Sequence, residues 1–227
     1  MNPPVVIIGG WLSTTDDYRW MARDLARPPY RRIVYITDIR RPTWLALRDP
    51  DMTSVLDIIA KTVEIALAET GASAVDLIGH SAGGRLARAY LGDKPYYGRV
   101  YNGQSHVRSI TTLGTAHSTV EIYVAQFGAW VNEVYPGTFY PHISYRSVAG
   151  ETVVGRKYGS IEEMLAYRSY EITCGRGDVI GDGLIPTHSC YLDGADNLVI
   201  SGVRHVLYNA PQGWYGAPHV MEGWFAA

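Results

Sequence analysis

Cysteine is almost absent: Cys174 and Cys190 are the only two in 227 residues, which excludes a disulfide-stapled scaffold and leaves two free thiols or one bridge. Lysine is nearly as scarce, three against 17 arginines. The arginines are scattered, with only Arg31-Arg32 and Arg40-Arg41 adjacent, so they read as solvated surface rather than a basic patch. A net charge of −2 provides no field to gather nucleic acid or anionic membrane, and neither partner is expected. Long apolar runs are missing too. The opening Met-Asn-Pro-Pro-Val-Val-Ile-Ile-Gly-Gly has no charged leader, and its apolar stretch is too short for a secretion signal or a span. A cytoplasmic location without integral membrane association is therefore expected. There is no internal repeat and no low-complexity tract. The chain length and the 47% hydrophobic content suit a single domain over 1–227 that buries a substantial core. Oligomeric state stays open.

What is present alternates between β-branched runs and helical periodicity, which predicts an α/β fold with a mainly parallel sheet. Expected strands are Val5–Ile8, Arg32–Thr37, Val75–Ile78, Val107–Leu113, Ile143–Ala149 and Asn197–Ser201. Helices are expected over about Thr15–Ala26, Thr53–Thr70, Arg85–Tyr90 and Pro218–Phe225, and the stretch holding Pro42, Trp44 and Pro50 reads as irregular. Residues 119–142 form a helical excursion in which Tyr123, Phe127, Trp130, Val131 and Val134 recur at helical spacing until Pro136-Gly137. Such a stripe fits core packing; it also fits an apolar pocket wall or small lid, because loops leaving the carboxyl ends of parallel strands line the ligand crevice.

The densest chemical signal is Gly79-His80-Ser81-Ala82-Gly83-Gly84, set between a strand-like run and a helix-like one. A strand turning directly into a helix leaves no room for Cβ atoms at Gly79 and Gly83, and holds Ser81 in strained backbone space with its hydroxyl above the sheet edge. A serine hydroxyl is a poor nucleophile at neutral pH, so Ser81 needs a base, and the base needs an acid to orient it. Of seven histidines, His80 points away across the turn, His106 precedes a strand, and His117 follows Gly114-Thr115-Ala116 in a loop suited to bracing the sheet. His142 and His188 lie at segment edges, and His219 falls in the closing helix. His205 follows the last strand, in Gly202-Val203-Arg204-His205, where a loop can carry an imidazole back over the serine.

The acid is sought in the glycine-rich segment 175–186. Asp182, in Asp182-Gly183-Leu184-Ile185-Pro186, has an apolar anchor behind it; Asp178 is the alternative. Both could also serve turn or calcium chemistry, though two carboxylates are few for a metal, and no metal site is expected. Oxyanion donors are expected from the backbone N–H of Ala82 and from that of Trp11, after Gly9-Gly10. Trp11, Leu12, Tyr123, Phe127 and Trp130 are the candidate substrate-binding residues.

Gly9-Gly10-Trp11, Gly79 to Gly84, Leu113-Gly114-Thr115-Ala116-His117, Asp182 to Pro186 and Gly202 to His205 together resemble the α/β-hydrolase superfamily, and within it the lipase-like serine esterases. The spacing from Asp182 through Leu192-Asp193-Gly194-Ala195 to His205 is similar to that of minimal, lidless bacterial lipases, and it favours Asp182 over Asp178. The same stretch and Gly79 to Leu91 resemble lipase-like hydrolases of cyanobacteria and plastids, some related to inositol deacylases of lipid anchors. The resemblance covers nearly the whole chain. It implies a minimal, mainly parallel sheet of about six strands flanked by helices, a Ser81–Asp182–His205 triad, and hydrolysis of a small-molecule ester or lipid through an acyl-enzyme without a cofactor. The chain departs from the family's usual His-Gly at Gly9-Gly10 and from Gly-Thr-Pro-His at Gly114-Thr115-Ala116-His117. Thioester hydrolysis or acyl transfer with the same triad is the alternative expectation, and non-catalytic binding of a small ligand a further one.

Overall fold

A run in which every residue is apolar suits a strand covered on both faces, and in Val5–Ile8 (β1) all four residues are buried. The computed structural model describes residues 2–120, 125–206 and 211–225. It pairs β1 with β2 (Val34–Ile36) on one side and β3 (Val75–His80) on the other. The sheet continues through β4 (Val107–Leu113) and β5 (Ser144–Glu151). After two short segments paired antiparallel, β6 (Val153–Val154) and β7 (Ile180–Gly181), it closes with β8 (Asp196–Ser201). The order is β2-β1-β3-β4-β5-β8, and every pairing in this six-stranded sheet is parallel.

Alternate residues of β1 feed two cores. Val5 and Ile7 pack with Met21 and Leu25 of α1 (Arg19–Leu25) and with Met221 and Trp224 of α7 (Pro218–Trp224). Val6 and Ile8 join Val55, Ile59 and Val63 of α3 (Thr53–Thr70), Leu86 of α4 (Ala82–Leu91) and Phe127 and Val131 of α5 (Ala125–Val134). Because both of its faces are covered, β1 carries a continuous apolar run rather than alternation.

The structure departs from expectation in a few places. The second strand shortens to Val34–Ile36, and the first helix opens with a 3-10 turn at Thr15–Tyr18 before α1. The proline-punctuated stretch holds a helix, α2 (Arg41–Ala46), with its proline in the first turn, where a missing N–H breaks no intrahelical bond. A further unforeseen helix, α6 (Ile161–Cys174), starts on a capping box between Ser160 and Glu163 and ends at left-handed Gly175. Cys174 and Cys190 are both free thiols. Among the described residues no helix is long and apolar enough to cross a membrane.

Among the described residues of 119–142 the helix is α5, fastened near both ends. At its start the amides of Gln126 and Phe127 donate to the Asp49 carboxylate at 3.1 and 3.0 Å. Near its end the buried Arg88 guanidinium donates to the Asn132 side-chain oxygen at 2.9 Å and the Tyr135 carbonyl at 2.7 Å. Tyr123 lies outside the described residues. Asp49→Ala removes the acceptor at the helix start and is expected to cost about 1 kcal/mol of stability, the usual value of such a cap, read as a lower midpoint in urea denaturation.

Candidate active site

β1 and β3 are neighbours, yet the chain runs from β1 outward to β2 and from β3 outward to β4 in the opposite direction. Loops leaving the carboxyl ends of β1 and β3 therefore part and open a crevice at the point where strand order reverses. Ser81 stands there, between the last residue of β3 and the first of α4, with φ 54° and ψ −123°. An L residue rarely adopts that conformation, and it persists only where the surroundings over-determine it. Here they do: the Ser81 amide donates to the Leu113 carbonyl at 2.8 Å, and its own carbonyl accepts from the Thr115 hydroxyl at 2.8 Å. A Cβ on Gly79 would come within 2.6 Å of the Gly84 Cα, so the crossing of strand and helix requires glycine.

Asp182 follows β7 and His205 follows β8, 23 positions apart in the chain, and the fold brings them together. His205 Nδ1 lies 2.7 Å from Asp182 Oδ2, both side chains buried. The other carboxylate oxygen, Oδ1, accepts from the Leu184 and Ile185 amides at 3.0 and 2.7 Å, which is how the segment after Asp182 fixes it. Burial pushes the Asp182 carboxyl up, but His205 beside it and these amides outweigh that and leave it below the ordinary value. Asp182 thus stays ionised and can accept a hydrogen bond from the Nδ1–H of His205, the tautomer that keeps Nε2 as the accepting nitrogen. Asp178, the alternative acid, instead pairs with Arg176 at the surface.

Tyr18 and Tyr215, which have no place in the sequence reading, and His80, read there only as pointing away from Ser81, complete the surroundings. The Tyr215 hydroxyl donates to Asp182 Oδ2 at 2.8 Å and accepts from the Gly150 amide at 2.7 Å. Burial first, and Asp182 next, raise the Tyr215 hydroxyl well above its ordinary value, so it remains a donor. His80 is buried with its ring 4.8 Å from that of His205, and its Nε2 lies 3.0 Å from the His205 carbonyl oxygen. Its Nδ1 is 2.8 Å from the Tyr18 hydroxyl. His80 thereby links the strand end carrying Ser81 to the loop carrying His205. Among the other histidines, His117 is buried against Thr112 and Arg88, as a brace would be, and His142 and His219 are exposed.

The loop after β1 comes close to Ser81: a Cβ on Gly10 would sit 2.9 Å from the Ser81 Cβ. The Gly10 amide is committed to the Tyr18 hydroxyl at 2.8 Å. Ala82 heads α4, where first-turn amides have no intrahelical acceptor. Trp11 is half-exposed, its ring 5.6 Å from that of Trp44, and Leu12 next to it has a strained φ of 59°. Both line a cleft of about 470 Å³ with Leu45, His80 and Trp214. A second, mainly apolar cleft of about 610 Å³ runs beside His205 and Asp182, lined by Ile161, Leu165, Leu184 and Val206. Phe127 borders a small cavity shared with Trp11 and Ala82, whereas Trp130 packs against Tyr96 with ring centroids 4.4 Å apart.

Burial, with His205 next, pushes His80 down to about 3, and burial together with Arg88 and Arg85 holds His117 well below its ordinary 6.5. Once unfolded, both take up protons below about pH 6.5 that the folded state refuses. Stability should be intact above that value and decline as the pH falls toward about 3, the same direction in which Asp182 acts at still lower pH. A calorimetric Tm series from about pH 8 to about pH 4 is expected to fall through this window, and a flat profile would contradict the burial of neutral imidazoles.

A family model described as alpha/beta hydrolase fold matches residues 3–144. No curated protein matches the chain. Among solved structures, the product of gene lin2722 from Listeria innocua superposes with a TM-score of 0.55 at 14% identity, over 98% of this chain and 92% of that one. Aspergillus fumigatus lipase B gives a TM-score of 0.51 at 11% identity, over 87% of this chain and 44% of that one. At such identities the likeness concerns the fold.

Proposed function

The chain belongs to the alpha/beta hydrolase fold family, and from that premise we propose that it is a serine hydrolase cleaving carboxylic esters through an acyl-enzyme intermediate. The observation that carries this reading is the buried Asp182–His205 pair at 2.7 Å, set beside the strained turn at Ser81. Ser81 attacks the ester carbonyl while His205 Nε2 takes its proton. The oxyanion that forms is met by the amides of Trp11 and Ala82, each such donor being worth about 10²–10³ in rate. His205 then returns the proton to the leaving alcohol. Water, deprotonated by the same imidazole, releases the acid and restores the serine.

Apolar lining in both clefts favours esters with hydrocarbon groups over charged ones. A panel of p-nitrophenyl esters from acetate to palmitate, run beside a thioester of matched chain length, tests the reading. Hydrolysis of the esters with preference above acetate is expected. Turnover of the thioester alone would transfer the site to the thioesterase alternative, and no turnover of any substrate would overturn the proposal.

A further inference from the structure

We propose that Tyr18 and His80 are positioning residues for this hydrolysis, forming a buried hydrogen-bonded chain that fixes the oxyanion loop and the base loop against the turn carrying Ser81. The inference rests on the reading of the site as a serine hydrolase and deepens it.

With the buried His80 ring neutral, the chain of bonds runs in one direction. A backbone amide can only donate, so the Gly10 N–H gives its proton to the Tyr18 oxygen at 2.8 Å. The single hydroxyl proton of Tyr18 then goes to His80 Nδ1 at 2.8 Å, which requires that nitrogen to be bare. The ring proton must therefore sit on Nε2, where it is donated to the His205 carbonyl at 3.0 Å. A carbonyl can only accept, so the two backbone ends fix the tautomer in between. Burial keeps the ring neutral, and Trp214 packs against both Tyr18 and His80, with ring centroids 6.2 and 6.3 Å away.

The three backbone points tied by this chain each adjoin a group the reaction needs. Gly10 precedes Trp11, whose amide faces the oxyanion. His80 precedes Ser81. His205 is the base itself. Gly10 follows β1, His80 ends β3 and His205 lies on the loop after β8, and a displacement of about 1 Å between such groups can cost about 10²-fold in rate. A role confined to satisfying buried polar groups would lower stability but leave each folded molecule equally active.

Tyr18→Phe keeps the ring and its packing while removing the hydroxyl. His80→Gln keeps a donor reaching toward the His205 carbonyl and serves as the conservative variant. Each is assayed on a p-nitrophenyl ester, with the active fraction counted by fluorophosphonate titration. For Tyr18→Phe, kcat per titrated site should fall between about tenfold and about hundredfold with KM within about twofold. His80→Gln should recover part of the rate lost in His80→Phe, and Tyr18→Phe combined with His80→Phe should be no slower than the slower single variant, because one chain is broken in each. Unchanged kcat per titrated site in Tyr18→Phe, or losses that multiply in the double variant, would overturn the positioning role. Failure of the wild-type protein to titrate at all is a different outcome: it would overturn the serine-hydrolase reading, and the positioning role with it.

Discussion

Ser81→Ala is expected to lower kcat on a p-nitrophenyl ester by about 10⁶-fold, the scale seen when the nucleophile of a serine-hydrolase triad is removed. Nothing else in the site can form the acyl-enzyme, and the residual rate would come from oxyanion donors and binding alone. The fold should not suffer. Ser81 makes no side-chain cap to α4, and alanine meets the same backbone strain at φ 54° that serine does. Tm should therefore stay close to wild type, within the shift produced by about 0.5 kcal/mol. A variant that stays folded and keeps more than a hundredth of the wild-type rate would remove Ser81 from the mechanism.

Asp182→Asn should be nearly as severe, about 10⁴-fold in kcat, for a reason the hydrogen bonds specify. Oδ1 accepts two backbone amides and Oδ2 accepts from His205 Nδ1 and the Tyr215 hydroxyl. An asparagine must keep its carbonyl oxygen toward the Leu184 and Ile185 amides, which turns its NH₂ toward His205. Two donors would then face each other, so the imidazole must carry its proton on Nε2 instead, where it can no longer accept one from Ser81. The geometry would survive while the tautomer is wrong. A loss of less than about tenfold would mean that the carboxylate does not set the state of the base. Stability at neutral pH should also fall, since the Tyr215 hydroxyl loses an ionised acceptor.

What was readable in advance follows from the range of the interactions. Ser81, Gly79 and Gly83 form a local motif, and their crossing geometry is dictated within six residues. β1 is legible because burial on both faces writes itself as an unbroken apolar run, Val5–Ile8. α6 is hard to read because its most apolar residues lie off its buried face: Ile161 and Leu165 are exposed, while the buried face is Ala166, Tyr170 and Thr173. The Ser160–Glu163 capping box and Gly175 were the available signals. Pro42 in the sequence suggests a breaker, yet in the first turn of α2 it permits a helix.

Tyr18, His80 and Tyr215 could not be assigned from the chain alone. Their bonds bridge 62, 125 and 33 positions to His80, His205 and Asp182, and no local pattern encodes partners at that separation. The aromatic stripe at 119–142 was ambiguous for a related reason. Only the structure shows Phe127 packed into the core and α5 held at both ends by Asp49 and Arg88, residues from other parts of the chain.

The central claim is that His205, oriented by Asp182, activates the hydroxyl of Ser81. Reaction with a fluorophosphonate followed by peptide mapping tests it directly, because phosphonylation requires an activated serine. The account predicts a single adduct on the peptide containing Ser81, formed rapidly in the wild type and lost in His205→Ala. An adduct on another residue, or equal labelling of Ser81 without His205, would contradict it.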